Sequence, residues 1–387
     1  MAEIKEIRDA LRRKKRMRNV RRISIVIILL ALVVMIIVNR DRLTPEAISQ
    51  WLSGSISANS AEEGFPVNLP SGETVSLLSA GNNVVLTNQT NLYFYSPRGK
   101  LLRNAQHSCK NVQSKAAGNN VLVYAVGGED VLVETNTKTA VSLSTENAVT
   151  TGEICKNGRF AIATESDVYT SEMKVYDKNG NAVFKWTPSG GVITALALSD
   201  DGHYVAAATV YTQGGEIMSG IHLFSTGKSE AVFSYQLKDE IVISLSCSKN
   251  EVQVVTDAGI VYINEDGELT GEFSFDEKKL IGMDKCDNGT VLVFQDVNDP
   301  SRSQLMVIGK AAEVTAQASV SLAVQDIACS GEDIYLLTDT SLLCYESSTA
   351  VKTGECKIEN DAERLCATSA GAFVITSASE LIRSELG

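Results

Sequence analysis

The sequence predicts an all-β fold, an eight-bladed β-propeller, carried behind a single N-terminal transmembrane helix. Three observations predict it. A turn followed by a short apolar strand recurs eight times, at a spacing of roughly forty residues. Short apolar runs alternate with Gly, Asn, Asp and Ser turns from residue 65 onward, with no long helical period. An uncharged run of sixteen residues, from Ile23 to Val38, stands near the N-terminus between dense charge.

Residues 1–22 form a basic tail. Ten Lys or Arg, including Arg12 to Arg16, stand there against three acids. Ile4, Ile7 and Leu11 share one face if the tail is helical. The tail suits the anionic lipids of an inner leaflet, at about 1 kcal/mol per basic residue near the surface.

Residues 23–38 are the expected membrane helix. At 1.5 Å per residue the run is about 24 Å long, somewhat short of a hydrocarbon core of about 30 Å. Arg22 and Arg40 can snorkel outward and close the gap. The run is apolar on every face, unlike an amphipathic core helix. The excess of positive charge before it places the N-terminus in the cytoplasm and the rest outside, at a cell membrane. A cleaved signal peptide is the alternative, but Asn39-Arg40-Asp41-Arg42 offers no small-residue cleavage site.

Residues 39–64 are expected to hold a short juxtamembrane helix and a linker. Thr44 caps the helix, Pro45 opens it and Gly54 stops it. Ala47, Ile48, Trp51 and Leu52 share its apolar face, which suits the membrane interface. Residues 53–64 are small and polar, a tether spanning about 20 Å.

Residues 65–387 are the propeller. The repeated turn and strand read Gly81-Asn-Asn-Val-Val-Leu-Thr, Gly118-Asn-Asn-Val-Leu-Val-Tyr and Asn157-Gly-Arg-Phe-Ala-Ile-Ala-Thr, then recur at Asp201, Asn250, Asn288, Gly331 and Gly371. Each unit continues with a strand such as Leu92-Tyr-Phe-Tyr, a second turn such as Lys178-Asn-Gly-Asn and a last strand such as Ala182-Val-Phe-Lys-Trp. Four antiparallel strands per forty residues make a propeller blade. A β-solenoid has a period nearer twenty. The last unit has length for three strands only, and residues 65–70 match a lone fourth strand. An eighth, composite blade closed by the N-terminal strand follows, with seven blades as the alternative count. Residues 65–70 then enter at the face opposite the long loops, which turns those loops away from the membrane.

The stretch Leu196-Ala-Leu-Ser-Asp-Asp-Gly-His-Tyr-Val-Ala-Ala-Ala resembles the first-turn signature of WD40-type and quinoprotein-like propellers. The layout of basic tail, single anchor and degenerate blades resembles a family of unknown function from clostridial-type bacteria. That resemblance implies a fold and a location, and brings no catalytic residues.

Function is bounded mainly by what composition excludes. Residues 1–42 hold twelve basic and four acidic side chains, and the remainder holds 23 basic against 43 acidic. An ectodomain this acidic argues against nucleic acid or another polyanion as partner. No Gly-x-Ser-x-Gly elbow appears, and Trp occurs only at Trp51 and Trp186. No cofactor or metal site is expected. His107, His203 and His222 are scattered and no Cys-x-x-Cys pair occurs. Asp200, Asp201, Asp284 and Asp287 stand beside blade turns and are expected to cap them. Cys155, Cys247 and Cys286 occupy equivalent places of the repeat, which suggests packing and few or no disulfides.

Loops on a rigid ring are the remaining candidates. Two second-to-third connections look long, from Tyr211 to Gly220 in blade four and from Asp296 to Arg302 in blade six. Tyr211, Gln213, Glu216, Met218, Asp296, Asp299 and Arg302 are the candidate contact residues. The expected function is non-enzymatic, a membrane-anchored scaffold for unidentified envelope proteins. A sensor or binding module for a small ligand or glycan in the central channel is the alternative, and an unrecognised hydrolase or lyase the third.

Overall fold

The computed structural model describes residues 64–384, apart from 71–72, 277, 359–361 and 377–378. Residues 1–63, on which the expected basic tail, membrane helix and juxtamembrane helix fall, lie outside the described residues. Among the described residues no helix is long and apolar enough to cross a membrane.

Eight four-stranded antiparallel sheets follow one another along the chain. Blades one to seven take residues 74–106, 112–144, 149–186, 192–238, 242–274, 279–320 and 324–357. Blade eight is composite, as the sequence suggests. Its first three strands are Ala362–Thr368, Gly371–Thr376 and Glu380–Arg383, and its outer strand is Val67–Asn68. Val67 pairs with Leu381 and Asn68 with Glu380, antiparallel. Eight blades, not seven, close the ring.

Burial within a blade follows from covering both of its faces. In blade one the second and third strands, Asn83–Asn88 and Asn91–Tyr95, are buried at every position except Asn83. Their sequences are therefore continuous apolar runs rather than alternating ones. The outer strand, Leu101–Gln106, is mostly exposed. Inner strands carry a bulge near their start in seven of the eight blades, as between Val149 and Thr151. A bulge raises local twist, which lets strands crowd around an axis and then fan outward.

The core consists of eight apolar clusters, one in each gap between neighbouring blades. The gap between blades eight and one holds Leu77, Val84, Phe373 and Leu381, with Phe65, Val67 and Leu69 packed against them. The Phe65 and Phe373 rings lie 5.5 Å apart, and the Leu69 amide donates to the Ser379 carbonyl at 2.8 Å. The seam is thus held more by side chains than by its two-residue ladder.

The WD40-like turn of blade four is built as its signature suggests. Asp201 Oδ1 accepts from the Ser199 hydroxyl at 2.5 Å and from the His203 amide at 3.0 Å. Gly202 has φ +66°, and a Cβ there would meet Cys155 Sγ at 3.0 Å. The other three aspartates do something else. Asp200 reaches Lys156 of the neighbouring blade at 2.8 Å, and the Asp287 amide donates to the Gly331 carbonyl of the next blade. Asp284 joins two inner strands, as described below. All eight cysteines are free thiols. Burial raises Cys109 to about 11 and Cys247 to about 12, so these thiols stay protonated as packing residues.

Candidate partner-binding face

Strand polarity divides the ring into two faces. The first-to-second and third-to-fourth turns lie on the bottom. The second-to-third turns and the connections between blades lie on the top. The antiparallel pairing of Val67–Asn68 with blade eight makes the chain enter that strand from the bottom.

The supposed long loop of blade four is a hairpin. Its strands, Tyr204–Gln213 and Glu216–Ser225, are ten residues each and joined by Gly214 and Gly215 alone. Both glycines have positive φ, +65° and +89°, as a two-residue hairpin turn of right-handed strand twist requires. The inner strand of the blade pairs only as far as Val210. Three residues of each hairpin strand therefore stand clear of it, about 10 Å at the rise of a strand. Tyr211 faces Met218 and Gln213 faces Glu216 in the register, so these four candidates share one hairpin face. Gln213 and Glu216 are exposed, and Tyr211 and Met218 half-buried. Glu216 pairs with Lys238 of the outer strand at 2.7 Å.

Asp296, Asp299 and Arg302 lie in blade six, with blade five intervening, so the seven candidates do not form one site. The loop from 296 to 302 is internally satisfied. Asp296 Oδ1 accepts from the amides of Asn298 and Asp299 at 2.8 and 3.2 Å. Asp299 Oδ1 accepts from the Ser301 amide and hydroxyl at 3.1 and 2.5 Å. These hydrogen bonds from Ser301 hold the Asp299 carboxyl below its usual range. Both aspartates shape the loop, and the side chain it presents is Val297, 73 % exposed.

Val297 belongs to a larger pattern. Val168 and Tyr169 project from the top of blade three, and Val192 and Ile217 from blade four. Ile241 and Ile243 stand at the top of blade five, and Leu322 on the connection from blade six to seven. All are more than a third exposed. The large exposed apolar residues elsewhere, such as Leu101, Val183, Leu269 and Val351, sit at the bottom ends of outer strands. Among the described residues, the top of blades seven, eight, one and two carries none. Apolar exposure on the top face is confined to half the ring.

Several half-buried charges stand on the inner strands that line the central channel. Glu153, on the inner strand of blade three, feels Lys115 of blade two and Lys285 of blade six. Burial still raises its carboxyl above the usual range. Asp284 Oδ1 accepts from the Lys285 amide at 2.8 Å, and its Oδ2 from the Cys329 amide of blade seven at 2.7 Å. Asp326 Oδ2 accepts in the same way from the Leu365 amide of blade eight at 2.9 Å. Both carboxyls are raised, first by burial, and Asp326 raises Asp284 further. Two aspartates thus tie three successive inner strands together, which explains their place in the channel without any ligand. No cluster of three or more His, Cys, Asp or Glu positioned for a metal occurs among the described residues.

Fold and face together define an eight-bladed propeller with one apolar half-rim. Residues 65–386 match a family of unknown function, DUF5711, and the chain belongs to that family. No curated protein sequence matches it. Among solved structures it is similar to the computationally designed protein Ika8, with TM-score 0.59 and 16 % identity over 84 % of this chain and 100 % of that one. It is similar to Sqt1 of Saccharomyces cerevisiae, with TM-score 0.61 and 10 % identity over 85 % and 100 %. BamB of Moraxella catarrhalis gives TM-score 0.52 and 9 % identity over 82 % and 98 %. At such identities the likeness is one of fold, a β-propeller.

Proposed function

We propose that the chain is a membrane-anchored, extracytoplasmic propeller that acts as a protein-interaction scaffold at a bacterial cell envelope. The observation that carries this reading is the apolar half-rim on the top of blades three to six. Its centre is the protruding hairpin of blade four, flanked by Tyr169 and Val168 on one side and by Ile241 and Ile243 on the other. Tyr and aliphatic side chains in such a place form the core of a protein interface. The apolar run from Ile23 to Val38 supports the anchor. The antiparallel strand Val67–Asn68, entered from the bottom, supports a reading in which the top face is the one open to a partner.

The reading assigns the chain no catalysis and no cofactor. Its partner is an envelope protein with a complementary apolar patch, and its basic tail meets anionic lipid. Ile217→Glu combined with Ile243→Glu is expected to cut recovery of cross-linked envelope partners about ten-fold or more, since a charge in the desolvated centre of an interface costs several kcal/mol. The same variant should melt as the parent does, both side chains being exposed. Undiminished recovery from it contradicts the assigned face.

A further inference from the structure

Below the hairpin, between the outer part of blade three and blade four, lies a cavity of about 770 Å³. It exists because neighbouring outer strands differ in length. The outer strand of blade three, Ala182–Trp186, is five residues long. It faces the ten-residue third strand of blade four and the eight-residue outer strand Ala231–Lys238, and leaves their upper part uncovered. Thr209, Tyr211, Gly220, His222, Ser234 and Gln236 line the blade-four wall, and Trp186 with the connection 187–190 lines the other.

The lining has a definite chemistry. No Asp, Glu, Lys or Arg contributes to it, in a chain of which 21 % is charged. Its aromatic part is a cluster in which the Trp186 ring lies 4.9 Å from His222 and 4.8 Å from Phe224. Trp186, Tyr211 and His222 are each only half-buried. Gly220 opens the floor, where a Cβ would fall 2.9 Å from His222 Nε2 and 2.8 Å from Thr209 Oγ1. His222 Nδ1 shares a hydrogen bond with the Ser234 hydroxyl at 2.9 Å, while its Nε2 has no hydrogen-bond partner among the described residues. Burial lowers the His222 pKa, which keeps the ring neutral.

We propose that this cavity binds a neutral saccharide, with Trp186 and Tyr211 offering ring faces to the sugar's C–H bonds and His222 Nε2, Ser234 and Gln236 bonding its hydroxyls. An aromatic face carries partial negative charge and attracts the weakly positive C–H groups of a pyranose. A sugar hydroxyl is both donor and acceptor, so it satisfies His222 Nε2 in either tautomer. An ionic ligand finds no counter-charge in the lining, and an apolar one leaves the hydroxyls and amides unpaired. The cavity volume lies within the range of small-molecule sites, about 300–1,000 Å³. The inference goes beyond the scaffold reading and does not depend on it, since no partner protein enters the argument or the test.

The two tryptophans make the test direct. Trp51→Phe in the full chain leaves Trp186 as the sole indole, and its emission reports on the cavity. The protein, in a detergent without a sugar headgroup, is titrated with maltotriose, cellotriose and tri-N-acetylchitotriose, and with acidic sialyllactose for comparison. At least one neutral trisaccharide should shift or quench the emission saturably below about 10 mM, with sialyllactose weaker. His222→Phe keeps the packing on Trp186 and removes both ring nitrogens; Ser234→Ala removes one exposed hydroxyl. Each should weaken half-saturation about five-fold, the worth of one hydrogen bond, at an unchanged melting temperature. Absence of any response to the neutral sugars overturns the proposal. So does a response that both variants leave intact, or one stronger for sialyllactose.

Discussion

Glu153 shows how a channel residue couples charge to stability. Burial is the first cause of its raised pKa, and Lys115 and Lys285 offset only part of it. A carboxyl that holds its proton more tightly when folded contributes stability that is fully present below its unfolded pKa of about 4 and is lost as pH rises through the folded value. Glu153→Gln keeps an acceptor for the Ile154 amide, which Glu153 Oε1 takes at 3.2 Å, and removes the titration. The variant should therefore gain stability relative to the parent as pH rises from the unfolded carboxyl range, about 4, through the raised folded value. Urea midpoints at a series of pH values measure this; a relative stability that falls with rising pH contradicts it. Comparison with the parent cancels His107 and His222, whose lowered pKa values act in the opposite sense over the same range. None of this was legible in the sequence. Asp284 reads as a turn residue beside Asp287, and only the fold shows that its carboxylate spans two inner strands.

Among the strands, the seam of blade eight is the weakest joint. Its ladder is two residues long, so Phe65, Val67 and Leu69 supply most of the closure. All three are half-buried, and together they contribute about 3 kcal/mol by burial. Deleting residues 65–70 should lower the melting temperature by about 6 °C or more for a domain of this size, and should expose an unpaired edge that promotes association. A truncated chain that melts with the parent removes the N-terminal strand from the closure. This joint was legible because a unit with three strands' length and a lone strand at the other end are complementary in the sequence. The hairpin of blade four was not read correctly. Gly214-Gly215 is a two-residue turn signal, but the polar Thr212, Gln213 and Glu216 around it look like a loop. They are exposed strand residues because the hairpin rises above the rest of the sheet.

The whole ring carries its functional asymmetry where composition cannot show it. Val168, Ile217, Ile241, Ile243 and Val297 look like ordinary apolar residues scattered over 130 positions of chain. They become one half-rim only when strand polarity puts every second-to-third turn on the same face and consecutive blades side by side. The saccharide cavity is equally hidden, since Trp186 and His222 stand in different blades and meet through a mismatch of strand lengths. Eight blades, by contrast, could be counted from the repeat, because each turn glycine or asparagine marks a place the backbone needs at forty-residue intervals. The central claim is that the half-rim of blades three to six receives a protein partner. Photo-reactive side chains placed one at a time at Ile217 and Val297, and at Gln89 and Glu129 on the same face of blades one and two, test it most directly in intact cells. The account predicts that one and the same partner is cross-linked from Ile217 and Val297 and not from Gln89 or Glu129. Equal cross-linking from all four positions, or capture from Gln89 and Glu129 alone, contradicts it.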